Sequence, residues 1–293
     1  MAAPTRTWVL VALWAAAFVL TVTLAVFQRL TGPSHPLRGE VRLPDGSELR
    51  FRLPRSSEGQ DALVVSLPPA AAELGAVLSW RRYPTDEPYR ELALKAEGEG
   101  RATAAVPRQP AAGKVEYFIR LGKGSGEPRL PPAGTVVARF RDPVPAGILI
   151  PHIVAMFASM LVSTRALLEV LRPGGGPARG HVLIAMALLV LGGLALGPMV
   201  QKAAFGSYWT GWPLGTDLTD NKTAVAFLAW LPATLAAVLR RRTRLAVAAG
   251  WLIMMGVFLI PHSLRGSELD WSAAGADPVV GLPPPAAGAR PAR

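Results

Sequence analysis

The chain is 293 residues long, 51% hydrophobic, without cysteine, and carries a net charge of +11 at neutral pH. The missing cysteines exclude disulfides, c-type haem attachment, iron–sulfur clusters, Cys-ligated zinc and thiol nucleophiles. The charge excess is not a nucleic-acid signature. Residues 35–142 hold 17 Lys/Arg against 14 Asp/Glu, and the remainder holds 14 against 6, so most of the excess flanks apolar runs, as membrane-orientation charges do.

Trp8–Phe27 is an uncharged run of 20 residues, long enough to cross a bilayer as a helix. At its end A-V-F-Q-R-L offers no small-x-small cleavage site, so residues 1–34 read as an uncleaved signal anchor and linker. Arg6 precedes the run, which puts the amino terminus in the cytoplasm and the next segment outside. The Ala/Arg/Gly/Pro-rich composition suggests a bacterial source.

Residues 35–142 have frequent charges and short apolar runs. L-R-G-E-V-R-L-P-D-G-S-E-L-R-F-R-L reads as two alternating strands around a D-G turn. Further strands are expected at 62–67, 76–83, 89–96, 102–106, 114–121 and 134–140, with a turn in G-K-G-S-G (122–126). Eight short strands with turns between them indicate an all-β sandwich. The succession of a strand with Trp80, then Y-R-E-L, A-V-P and A-G-K-V-E-Y-F-I resembles the immunoglobulin/fibronectin-type sandwiches of bacterial extracytoplasmic proteins. That resemblance covers 37–142 and implies a core Trp80, with Tyr117 on a late central strand. It carries fold and not function.

Four more spans are expected, at 146–171, 181–200, 223–239 and 245–261. The connectors R-P-G-G-G-P-A-R-G and R-R-R-T-R are Arg-rich and belong inside. The fold class is therefore a five-span α-helical membrane protein with an all-β sandwich inserted between spans one and two. Residues 143–271 form a four-helix bundle, and 272–293 a disordered Pro/Ala-rich tail. The two-proline linker R-D-P-V-P-A should hold the sandwich close to the bundle.

With this topology the polar segments near the membrane all lie outside. They combine His152, Lys202, Tyr208, Trp209, Trp212, Asp217, Asp220, Asn221, Lys222, His262, Arg265, Glu268 and Asp270 into a candidate outer-face site, because polar groups at membrane depth tend to line sites or pathways. Plainer roles stand beside it. Tyr208, Trp209, Trp212 and Trp271 suit an interfacial aromatic belt. Asp217 suits the N-cap of the fourth span, with Asp220 in its first turn. Lys202 and Lys222 suit snorkelling or pairing with these carboxylates. Arg265, Glu268 and Asp270 suit a surface ion-pair network. His152 and His262 are at similar depth, where they suit either axial ligation of a haem or metal ion or hydrogen bonding and capping.

Named motifs fail. D-L-T-D-N-K starts like an EF-hand, but Lys222 stands where Gly is required and Leu228 where the bidentate Glu belongs. No Walker A, H-E-x-x-H or G-x-S-x-G signature is present. The expected function is thus a non-enzymatic sensor, accessory or assembly subunit. It would sit in the bacterial cytoplasmic membrane, its sandwich lying over the outer polar site. Its partners would be the lipid bilayer and another membrane or envelope protein, with no nucleic acid. A haem- or metal-binding redox protein using His152 and His262 is one alternative. A transporter or an enzyme acting on a lipid or envelope substrate is the other.

Overall fold

The computed structural model describes residues 7–43, 45–59, 61–97, 100–122, 127–261, 266, 269, 271 and 272. The chain divides into two units: one from 1–33 and 143–267, the other from 34–142 and 268–293.

The first unit is helical. Helix α1 (Thr7–Thr31) is followed, after the β-rich segment, by α3 (Ala146–Leu171) and then α4 (Arg179–Leu189). The last of these continues through a π-helical stretch, Val190–Leu196, into α5 (Gly197–Phe205). Helices α6 (Leu218–Val238) and α7 (Arg244–Leu259) complete the unit. Four helices are long and apolar enough to cross a membrane: Thr7–Thr31, Ala146–Leu171, Arg179–Phe205 and Leu218–Val238. Five spans are expected from the sequence. The fifth apolar helix, α7, has only 16 residues, or about 24 Å at 1.5 Å per residue, short of a hydrocarbon core of about 30 Å.

Small residues let these helices pack closely. A Cβ on Gly193 would lie 2.7 Å from Thr223 Cγ2, and one on Gly250 2.8 Å from the Ala229 carbonyl. Each glycine therefore marks a point where two helices meet on bare backbone. Trp230, with no exposed surface, fills the centre and donates its indole N–H to the Val182 carbonyl at 3.1 Å. Trp251 donates to Thr164 Oγ1 at 2.9 Å. Buried Trp N–H groups need such partners in an apolar surround.

The arginines gather at one end. Arg165, only 2% exposed, donates to Glu169 at 2.8 Å, and Arg172 donates to the same carboxylate at 2.7 Å. Arg179 donates to the Arg240 carbonyl at 2.7 Å. The connectors 172–178 and 239–243 thus lie together, as their shared basic character suggests.

The second unit is β-rich, with eleven strands among the described residues. Strands β1 (Leu37–Arg42) and β2 (Glu48–Leu53) form the expected antiparallel hairpin, with Leu37 opposite Leu53 and Arg42 opposite Glu48. Its turn is fixed by Asp45 Oδ1, which accepts from the Ser47 N–H at 2.9 Å. Gly46 adopts φ +85° there, a conformation that glycine enters at no steric cost.

The next elements are β3 (Ser56–Glu58), β4 (Leu63–Leu67), a short helix α2 (Ala70–Glu73) and β5 (Val77–Tyr83). After them come β6 (Arg90–Ala93), β7 (Lys95–Glu97), β8 (Arg101–Val106) and β9 (Lys114–Arg120). Strands β10 (Arg129–Leu130) and β11 (Val136–Arg141) close the unit. One sheet runs β3-β11-β9-β5-β6, with β10 on β9, and a second runs β4-β8-β7. The hairpin and both sheets contribute to one core, which includes Leu53, Val65, Leu78, Trp80, Val106, Tyr117, Ile119 and Phe140.

The expected strand 89–96 is split. Leu94 is buried and donates its N–H to the Ala76 carbonyl. The chain pairs with β5 before it and with β8 after it. Trp80 is 3% exposed and lies opposite Tyr117, whose hydroxyl donates to the Pro54 carbonyl at 2.8 Å. Burial pushes the Tyr117 hydroxyl pKa up. Trp271 belongs to this unit: its indole donates to the Tyr83 carbonyl at 3.1 Å. Residues 123–126 of the expected turn and the tail 273–293 lie outside the described residues.

Candidate functional site

The polar groups at the end of the bundle opposite the arginines are arranged around the start of α6. Asp217 is its N-cap: Oδ1 accepts from the Thr219 N–H at 2.7 Å, satisfying a donor that the helix itself cannot pair. Asp217 Oδ2 also accepts from Thr210 Oγ1 at 3.2 Å. In the first turn, Asp220 turns back on the loop. Its Oδ2 accepts from the Thr210 N–H at 2.6 Å and the Gly211 N–H at 3.0 Å. Asn221 Oδ1 accepts from the Trp212 N–H at 2.7 Å. Three consecutive backbone donors of the 206–217 loop are therefore held by two neighbouring side chains of α6.

The loop comes so close that only glycine fits at 211. A Cβ there would lie 2.6 Å from Asp220 Cβ and 2.8 Å from Asn221 Oδ1. Gln201, from α5, ties the same knot by donating to Thr210 Oγ1 at 2.6 Å. Gly266 lies against Asp217, where an added Cβ would come within 2.3 Å of its carboxyl carbon. Asp217 and Asp220 are 5% and 6% exposed. Both lie at the start of α6, Asp217 as its cap and Asp220 in its first turn.

The two lysines have separate duties. Lys222, buried at 4% exposure, donates to the Ile260 carbonyl at 2.6 Å. Gln28 of α1 donates to the Phe258 carbonyl at 2.5 Å. Together they satisfy orphan acceptors at the C-terminal end of α7, and the lysine puts a cation where the helix dipole favours one. Lys202 donates to the Gly206 carbonyl at 2.6 Å and lies 5.6 Å from the Tyr208 ring centroid. Trp209 donates its indole N–H to the Trp212 carbonyl. Tyr208, Trp212 and Leu214 stay exposed, at 60%, 78% and 78%, an apolar rim suited to headgroup level.

His152 is apart from this knot. It is in the second turn of α3, and its Nδ1 is 2.9 Å from the Gly192 carbonyl oxygen in the π-helical stretch. A carbonyl only accepts, so Nδ1 is the donor in this contact and Nε2 is the ring nitrogen left for another partner. His262, Arg265, Glu268 and Asp270 lie outside the described residues. Among the described residues, no three His, Asp or Glu side chains gather where they would hold a metal ion.

Of the thirteen sequence-derived positions, the loop and α6 bring Trp209, Trp212, Asp217, Asp220 and Asn221 together. Lys202 and Tyr208 lie beside them, and Lys222 turns to α7. The thirteen positions leave out Gln28, Gln201 and Thr210. Their one signal is being uncharged polar residues beside apolar runs. The burial of Arg165 beside Glu169 is signalled by its place inside the apolar run 146–171.

Comparison with protein-family models, with curated proteins and with solved structures returns no match. Fold and geometry define the class: a helical unit with four candidate membrane spans and a β-sheet unit inserted after the first.

Proposed function

We propose that this chain is a multi-span protein of the bacterial cytoplasmic membrane. Its β-rich unit is an extracytoplasmic sandwich of immunoglobulin/fibronectin type that acts as a binding module, in a sensor, accessory or assembly role without catalysis. The observation that carries this reading is the engagement of the outer-end side chains. Asp217, Asp220, Asn221, Lys202 and Lys222 all bind the protein's own backbone. Groups spent on capping and loop anchoring are not poised for proton transfer, which needs a side chain within reach of a substrate proton. In this reading α7 is a fifth, short span, the Arg-rich end faces the cytoplasm, and the 206–217 loop faces outward with the β-rich unit.

Complementation of a strain lacking the protein tests this. Asp217→Asn and Asp220→Asn should each restore function, and a chain without 37–142 should not. A folded, membrane-inserted Asp220→Asn variant that fails to complement would return a working carboxylate to the site and refute the reading.

One observation favours a second reading. A histidine whose Nδ1–H is held by a carbonyl presents Nε2 as metal-ligating histidines do, and π-helical stretches recur at functional sites. His152 would then be one axial ligand of a haem or a ligand of another metal, with His262 as its partner. A purified protein with neither a Soret band nor bound transition metal removes that reading.

A further inference from the structure

The β1–β2 hairpin carries a charge pattern that its own fold does not balance. Its outward-facing residues alternate as Arg38, Glu40, Arg42 on one strand and Glu48, Arg50, Arg52 on the other. The register sets Arg42 opposite Glu48, Glu40 opposite Arg50, and Arg38 opposite Arg52. Two of the three pairs are complementary, and Arg50 Nε reaches Glu40 at 2.8 Å. The third sets two arginines directly opposite one another, and directly opposed like charges destabilise a strand pair. Neither Arg38 nor Arg52 has a carboxylate partner among the described residues.

These two arginines open onto a groove of about 920 Å³. Its far wall holds Arg101 from β8 and Ser66 from β4, and Arg101 is within 3.4 Å of the Ser66 hydroxyl. Phe51, Leu67 and Pro68 give it an apolar side. Four arginines, Arg38, Arg50, Arg52 and Arg101, thus line one groove; Arg50 is paired with Glu40, which leaves Arg38, Arg52 and Arg101 for a ligand.

We propose that this groove binds a phosphoryl group through Arg38, Arg52 and Arg101. The proposal rests on the reading of the β-rich unit as a binding module and names its ligand class. A single carboxylate has two oxygens and fills one guanidinium fork. A phosphoryl group offers at least three acceptor oxygens and up to two charges, so it engages opposed arginines together. The arginines alone suit a free phosphate, and the apolar side adds contact for a phosphate on an apolar body, such as a lipid headgroup.

Full-length protein in nanodiscs of neutral phosphatidylcholine is titrated calorimetrically at low salt with two probes, inorganic pyrophosphate and soluble dihexanoyl phosphatidic acid. Both should bind, more weakly as salt rises. Tighter binding of the lipid assigns the headgroup as the source, and tighter binding of pyrophosphate assigns a free phosphate. The double variant Arg38→Gln/Arg52→Gln should bind at least about tenfold more weakly while melting at the same temperature or higher, because a like-charge pair is gone. Arg42→Gln, equal in charge loss per site but outside the groove, should bind as the parent does. No binding of either probe, or equal weakening by Arg42→Gln, overturns the proposal. Either failure leaves the complementation result standing, so loss of the ligand class and loss of the binding-module reading are separately visible.

Discussion

Replacing Asp220 separates an anchoring carboxylate from a reactive one. Its Oδ2 holds two backbone N–H groups, of Thr210 at 2.6 Å and Gly211 at 3.0 Å, and the side chain is 6% exposed. Asp220→Ala removes both acceptors and leaves the Gly211 N–H buried without a partner. Hydrogen bonds to a charged group contribute about 1.5–3 kcal/mol each, so the expected loss is about 3–6 kcal/mol, with the 206–217 loop released from α6. Asp220→Asn keeps an oxygen in place of Oδ2. Neutral bonds are roughly half as strong as charge-assisted ones, so about 1.5–3 kcal/mol should be lost and the loop should stay closed. Thermal unfolding in detergent, with limited proteolysis between residues 206 and 217, reads both effects. Equal stability of the Ala variant and the parent would refute the anchoring role. So would an Asn variant as damaged as the Ala variant.

Other substitutions probe separate contacts. Gly193→Ala should cost about 1–3 kcal/mol by overpacking against Thr223, and Thr223→Ala in the same chain should recover most of it by relieving the 2.7 Å approach. Trp230→Phe keeps the ring but loses the bond to Val182, for about 1 kcal/mol, whereas Trp230→Ala should cost about 3–5 kcal/mol; thermal unfolding reads all four variants. In the β-rich unit, burial pushes the Glu116 carboxyl up, but hydrogen bonds from Arg81, Thr135 and Tyr89 outweigh it and hold it below its ordinary value. A depressed carboxyl stabilises the fold above its unfolded pKa of about 4.3 and loses that contribution as pH falls through the folded value. Glu116→Gln should therefore flatten the loss of stability on acidification below about pH 4.3, seen as a smaller difference between melts at neutral and acid pH.

Much of this architecture is legible one element at a time. Alternation in L-R-G-E-V-R-L and E-L-R-F-R-L marks the hairpin, because period-two burial needs nothing beyond the strand itself. Asp217 is readable as a cap because the helix start supplies its partners locally. The change of sheet at Leu94 is not readable, since an alternating segment looks the same whether one neighbour receives it or two. Strands β3 and β10 have three and two residues, too few to show a period. The π-helical turn around Gly192 follows the same apolar pattern as an α-helix. Lys222 on Ile260 and Gln28 on Phe258 join positions 38 and 230 residues apart, and only the packed bundle brings them together. The Arg38–Arg52 opposition needed the strand register, which a one- or two-residue shift would have hidden.

Sidedness is the most direct test of the proposed topology, in which the β-rich unit and the 206–217 loop face outward. The chain has no cysteine, so single cysteines report without interference. Ala96→Cys in the β-rich unit, Ser207→Cys in the loop and Arg242→Cys in the arginine-rich connector are all at exposed positions. With a membrane-impermeant maleimide on intact spheroplasts, Cys at 96 and at 207 should label at once, and Cys at 242 only after the membrane is opened. Labelling of position 242 in intact spheroplasts, or opposite behaviour of 96 and 207, would contradict the topology and the outward binding role built on it.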